Sequence, residues 1–300
     1  MTSRFSLRQF KWKYGTHEKC LEAIKKLKYP DDMDCPSCKR LSVFYPVTGR
    51  TSFACKFCGY QIYPLAGTIF EKSTTPLDLW FFAMYLIVQT RSGISAKQLE
   101  RLLGVTYKTA WRMFKQIRTL MVQEPSLLDG IVEIDETYIG GKGKNRAYEW
   151  HGGVEEKEIV MGIVKRKGTA FAKRIPNTGK WTLINQIKQN VDPKAHIMTD
   201  ELGSYKNLYE HGFDKHYTVN HSNKEYVRQH LFHTNSVENL WSHLKRGIYG
   251  VYRKVSKKYL QAYIDEYTWR YNNRLYLGLM FERLLKQVAE VKAIQPVLVK

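Results

Sequence analysis

Apolar residues recur at two different spacings along this chain, and the spacing changes near residue 130. Before that point the pattern is helical. Leu21, Ile24 and Leu27 mark an amphipathic helix that carries Cys20, and the stretch 66–125 reads as helical, with Thr74-Thr75-Pro76 starting a helix ahead of the apolar run from Leu77. Ser95 is placed to cap a short helix that ends at Gly104, and Thr106 to cap the next. That next helix carries Ala110, Met113, Phe114, Ile117 and Met121 on one stripe, leaving Tyr107, Lys108, Arg112 and Lys115 off it. From 131 the period shortens to that of strands: Ile131–Ile139, Ile159–Val164 and Thr169–Ile175, the last two joined across Lys165–Gly168. A helix over Trp181–Gln189, a short strand ending at Asp200 and a mostly helical tail from Thr234 follow. This order is that of a mixed sheet covered by helices, preceded by a helical region.

Composition narrows the partners. Forty-eight basic against 28 acidic side chains give a net charge of +20, divided evenly between residues 1–130 and 131–300. An excess spread over the whole chain suits a long polyanion, because phosphate neutralisation is cumulative. The longest apolar run, Leu79 to Val88, falls well short of the roughly 20 residues that cross a bilayer. The first residues lack a secretory pattern, so a cytoplasmic protein is expected, nucleoid-associated if bacterial. Cys35, Cys38, Cys55 and Cys58 form two Cys-x-x-Cys pairs at the separation of a four-thiolate site, which predicts one structural Zn2+ ion. Cys20 is left over for core packing. The pair of helices over 94–121, with the basic outer face of Lys108 and Arg112, predicts a helix-turn-helix that contacts DNA.

Asp135 and Asp200 each fall in or at the end of an apolar strand, where a charge is costly unless paired or metal-bound. Glu238 and Lys245 lie seven residues apart on the tail, sharing a helical face with Asn235 one turn before. Oxygen ligands from two strands and a helix suit two magnesium or manganese ions, which phosphodiester chemistry uses as a pair.

These blocks, Ile134-Asp135-Glu136-Thr137-Tyr138-Ile139-Gly140-Gly141, Thr199-Asp200 followed by Tyr205, and Asn235-Ser236-Val237-Glu238 through Trp241, Lys245-Arg246-Gly247 and Gly250, resemble the catalytic blocks of insertion-sequence DDE transposases. The group resembled carries an N-terminal zinc ribbon and is related to the Merlin elements. The resemblance implies an α/β protein with a ribonuclease H-like catalytic core over 128–275. Ahead of it would come an N-terminal helical segment (1–30), a zinc ribbon (31–65) and a helix-turn-helix domain (66–125), and behind it a C-terminal helical tail (276–300). It implies divalent-metal cleavage and strand transfer on double-stranded DNA, both terminal inverted repeats and target, by a homodimer or larger synaptic complex. Asp135 and Asp200 become the first two carboxylates. Either Asn235 or Glu238 is the third ligand, with Glu238 preferred because a carboxylate binds a hard cation better than an amide does. Lys245 becomes a phosphate contact. Two other readings fit the same residues: a catalytically silent DNA-binding regulator, and a nuclease that cuts without joining.

Overall fold

The computed structural model describes residues 5–123, 126–140, 157–219 and 233–290. Those residues form two compact units: the chain up to Met121 together with the segment from Tyr276 on, and the stretch from Val122 to Leu275.

The first unit opens with α1 (Leu7–Tyr14), closed at its start by a capping box in which Ser6 and Gln9 exchange hydrogen bonds. Thr16 caps α2 (His17–Lys28). Next come five short strands in two small antiparallel sheets. β1 (Met33–Asp34) pairs with β2 (Leu41–Ser42), while β3 (Phe44–Pro46), β4 (Phe53–Cys55) and β5 (Gln61–Ile62) pair in sequence. The first helix of the region read as helical over 66–125 starts at Leu77, directly after Thr74-Thr75-Pro76. Gly67 and Lys72 have φ near +74° and +56°, outside the helical region, and residues 66–76 form turns before α3 (Leu77–Gln89). Pro76 is the N-cap residue of α3 and supplies no side-chain cap. α4 (Ala96–Leu103) is capped by Ser95 and ends at Gly104, whose φ of +65° a residue with a β-carbon adopts only with strain. Thr106 caps α5 (Tyr107–Thr119), which buries Ala110, Met113, Phe114 and Ile117.

The second unit is a five-stranded sheet in the order β10-β9-β6-β7-β8. β6 (Ile131–Ile139), β7 (Glu158–Lys165) and β8 (Ala170–Ile175) form an antiparallel meander. After α6 (Lys180–Asn190), β9 (His196–Thr199) enters parallel to β6, and β10 (His216–Thr218) parallel to β9. The strand β10 carries no alternating pattern long enough to be read from sequence. One face of the sheet packs Val132, Ile134, Met161 and Ile163 against Leu183, Ile184 and Ile187 of α6. The other packs Val160, Val164 and Ala172 beneath α7 (Asn235–Arg246) and α8 (Leu260–Asn272). Between those helices the chain forms a π-helical turn over Gly247–Tyr252. The basic loop over 142–146 lies outside the described residues. No helix among the described residues is long and apolar enough to cross a membrane.

The last helix, α9 (Met280–Glu290), belongs to the first unit. Its Phe281 ring stacks on Phe5 with centroids 5.5 Å apart and lies 5.2–6.4 Å from the rings of Phe10, Tyr14, Phe81 and Tyr85. Phe281→Ala should therefore cost about 3–5 kcal/mol in urea unfolding of the full chain. A loss below about 1 kcal/mol would mean that α9 contributes no core to this unit.

Candidate functional site

The central strand β6 and the helix α7 are fastened at two points on one face. Glu133, fully buried, accepts hydrogen bonds from the backbone N–H groups of Ser236 (2.6 Å) and Val237 (3.2 Å), and from the Ser236 hydroxyl (3.0 Å). It thereby occupies the N-terminus of α7, which has no side-chain cap of its own. The Arg166 guanidinium compensates the charge at 2.8 Å and also donates to the His233 carbonyl at 3.0 Å. Two residues along β6, Asp135 Oδ2 accepts the Trp241 indole N–H at 2.9 Å. That contact requires Gly162, the cross-strand partner of Asp135: a β-carbon there would lie 2.5–2.6 Å from the indole ring.

Asp200 reaches the same region through sheet register. Glu133 pairs with Met198 on parallel β9, the last pair of that ladder; two residues on come Asp135, still within β6, and Asp200, just past the end of β9. Asp200 Oδ1 accepts the N–H of Leu202 at 3.0 Å, and three residues beyond that the buried Tyr205 donates its hydroxyl to Glu136. The segment after β9 is in this way tied back to β6. Glu238 stands exposed on the first turn of α7, with Asn235 exposed at the helix start and Lys245 half-buried two turns on.

The electrostatics agree with this convergence. Burial raises the Asp135 carboxyl to about 6; the Trp241 hydrogen bond opposes the shift, and the charges of Asp200 and Glu238 add to it. Glu136 is raised to about 7, again chiefly by burial, with the Tyr205 hydrogen bond opposing and the Asp135 and Asp200 charges adding. An all-oxygen set of carboxylates, in which Asp135 is raised by burial and further by the charges of the other two, fits a hard divalent cation. Among the described residues, only the four cysteines bring three or more ligand atoms within 4.8 Å of one another. The three carboxylates stand further apart, as repulsion between like charges favours.

Those cysteines form the second candidate centre. Cys35 and Cys38 flank the turn after β1, while Cys55 ends β4 and Cys58 follows in the next turn. The Sγ atoms of Cys35 and Cys58 are 3.6 Å apart, and those of Cys38 and Cys55 are 3.9 Å apart. A tetrahedron with metal–sulfur bonds of about 2.3 Å has edges of about 3.8 Å, so the four thiols fit one zinc ion. Cys20 is separate: it is fully buried, and its thiol donates to the Tyr14 carbonyl.

Lys108 and Arg112 both lie on the exposed face of α5, but differently held. Arg112 turns back onto the first unit, donating to Ser73 Oγ (3.3 Å) and Thr75 Oγ1 (3.4 Å) beside the Trp80 ring. Lys108 projects without such contacts. The residues that sequence reasoning left without a role are Glu133, Arg166, Gly162 and Trp241. The alternation of Glu133 and Asp135 on one strand face was the available signal for the first of these.

Two measurements test this arrangement. Gly162→Ala should destabilise the protein by about 1–3 kcal/mol, because neither the indole nor the strand can yield the missing space; an unchanged melt would place Trp241 elsewhere. In chelator, the raised carboxyl of Asp135 binds a proton in the folded state that the unfolded chain releases near pH 4. Its burial therefore costs nothing below about pH 4, and the cost is complete above about pH 6. Asp135→Asn should match the parent near pH 4 and exceed it by up to about 3 kcal/mol at pH 8. A difference independent of pH would refute the shift.

Comparison with known proteins agrees with this architecture. Residues 127–272 match the family described as ISXO2-like transposase domain, and residues 15–61 match the transposase zinc-ribbon domain. A relative described as an uncharacterized protein in transposable element ISH50 of Halobacterium salinarum is 28% identical over 278 residues, spanning 86% of this chain and 91% of that protein. Among solved structures, a chain of the simian T-cell lymphotropic virus intasome in complex with the PP2A regulatory subunit B56 gamma aligns at 14% identity and a TM-score of 0.30. The alignment covers 62% of this chain and 64% of that one, under two thirds of its length, a likeness too slight to bear on the fold. The chain thus carries a match to a transposase zinc-ribbon domain followed by a match to an ISXO2-like transposase domain.

Proposed function

We propose that the protein is an active DNA transposase that binds the terminal inverted repeats of its element, cuts the DNA there and joins the freed 3′ ends to a target. The observation that carries this reading is that three acids from separate elements face one region: Asp135 on the central strand, with Asp200 just past the end of the neighbouring strand and Glu238 on the helix clamped to β6, both of whose charges reach Asp135. A sheet of three antiparallel strands extended by two parallel ones, in the order β8-β7-β6-β9-β10, supports a ribonuclease H-like core.

Asp135, Asp200 and Glu238 would hold two magnesium or manganese ions. When bound, such a pair activates the attacking water or 3′-hydroxyl and stabilises the departing oxygen. The chain's own groups set the geometry around them. Trp241 fixes one oxygen of Asp135, Glu133 fixes the helix that presents Glu238, and Lys245 meets a DNA phosphate two turns along the same helix face. Glu238 is favoured over Asn235 as third ligand because its charge reaches Asp135. In the first unit, the cysteines would hold one structural zinc ion. The helix pair α4–α5, joined through Gly104, would act as a helix-turn-helix, with Lys108 meeting DNA and Arg112 bracing α5 from behind. Two ends must be joined in one event, so the working form would be a homodimer or larger synaptic complex.

Asp135→Asn, Asp200→Asn and Glu238→Gln should each lower strand transfer by more than about a hundredfold while DNA binding persists. Asn235→Ala should be milder than Glu238→Gln; the reverse order would make Asn235 the ligand. Incubating a labelled 3′-hydroxyl end with supercoiled plasmid separates the readings. Joined product supports the transposase, nicks alone indicate a nuclease, and binding alone indicates a silent regulator.

Purified protein should contain one equivalent of zinc, and Cys35→Ser should lose it together with the fold of the ribbon. Full retention of zinc by that variant would remove Cys35 from the ligand set.

A further inference from the structure

At the end of β6 remote from Glu133 lies a cleft of about 760 Å3, bounded by Tyr138–Gly140, Lys157 at the start of β7, the π-helical turn over Gly247–Tyr252 and the segment Arg253–Leu260. Three features distinguish it from ordinary surface. The first is backbone strain. Arg253 has φ +65° and ψ −57°, and the Lys254 N–H donates to the Tyr252 carbonyl at 2.7 Å, which is a γ-turn centred on a residue with a β-carbon. Such a turn costs about 1–3 kcal/mol, and both strained residues and π-helical turns concentrate where a fold serves binding or chemistry.

The second is unbalanced charge. Lys157, Arg253 and Lys254 are exposed, and among the described residues their side chains form no ion pair. The acid in the wall, Glu158, is already bridged by Lys257 (3.0 Å) and Arg174 (3.2 Å). The third is aromatic surface. Tyr138 and Tyr249 are 51% and 44% exposed, and the Tyr249 ring is held in place by its hydroxyl, which donates to the Gly140 carbonyl (3.2 Å) and accepts the Gly140 N–H (3.4 Å).

Position relates this cleft to the acids. α7 runs along β6 in the same direction: Glu133 meets Ser236, Asp135 meets Trp241, and Gly140 meets Tyr249. Glu238, Lys245 and Tyr249 thus follow one another along a track of about 16 Å at helical rise, a few nucleotide steps of DNA.

We propose that this cleft binds an unpaired nucleotide of the DNA strand that leads away from the acids, its base against Tyr138 and Tyr249 and its phosphates on Lys157, Arg253 and Lys254. The proposal rests on the transposase reading and adds a binding site to it. A duplex turns its bases inward and offers a convex row of phosphates, which a flat basic face would meet equally well. A concave cleft walled by tyrosines is used only by a base that has left the stack.

The test uses the full-length protein in chelator, with a short duplex that is either blunt or extended by a single-stranded thymidine tail carrying 5-iododeoxyuridine. The parent should bind the tailed duplex about tenfold tighter than the blunt one, a range typical of base–aromatic stacking. Irradiation should cross-link the tail to Tyr138 or Tyr249. The preference should fall below about twofold in Tyr249→Leu and in Lys254→Ala, and persist in Tyr249→Phe, which keeps the ring. Lys254 is exposed and its removal leaves the core intact, so that variant remains informative if Tyr249→Leu misfolds. Equal affinity of the parent for both duplexes, an undiminished preference in Lys254→Ala, or cross-links mapping elsewhere would overturn the site. If the parent joins strands yet shows no preference for the tail, the cleft assignment alone fails. If it binds neither duplex, the transposase reading fails with it.

Discussion

The second unit is organised by a buried carboxylate at a helix end. Glu133 lies at zero exposure in the middle of the sheet, a position that would be strongly destabilising for an unpaired acid. Arg166 from the far end of the β7 strand supplies the opposite charge, and the first N–H groups of α7 supply the hydrogen bonds. The same contact serves both sides, because α7 begins without a cap and its unpaired N–H groups need an acceptor. Removing either partner leaves the other buried and unsatisfied, so strand and helix are locked in one register.

Everything proposed for catalysis is referred to that lock. Once α7 starts at Glu133, its third buried position brings the Trp241 indole over Gly162 and onto Asp135, and its outer face carries Glu238 and Lys245. On the other side of β6, parallel pairing with β9 ends two residues short of Asp200, whose charge reaches Asp135, and the Tyr205–Glu136 bond ties down the segment that follows. Packing and hydrogen bonds thus hold Asp135 and Glu136 where burial, with a smaller addition from neighbouring acids, raises both carboxyls. A site built this way has stability to gain from a divalent cation.

The first unit solves a different problem. Its strands are two or three residues long and form sheets too small for a core of their own. The four thiols, spaced as the edges of a tetrahedron, give the ribbon a metal-sized centre in place of apolar mass. The helices beside it are held conventionally, by an aromatic cluster completed from the other end of the chain by Phe281.

Local chemistry determined what the sequence showed by itself. The cysteine spacing, the caps at Ser95 and Thr106, the left-handed turn at Gly104 and the strand alternation of the meander depend on residues a few positions apart, whose preferences survive in any context. The acidic blocks were legible for another reason: a charge within an apolar strand announces a cost that must be offset somewhere. Where it is offset could not be read. Glu133 meets Ser236 across 103 residues, Asp135 meets Trp241 across 106, and Phe281 packs on Phe5 from near the opposite end of the chain. Nothing in the local period of either partner encodes such a meeting. In the second unit it follows from the order in which the strands pair, and in the first from how the helices pack, and only the folded protein fixed either.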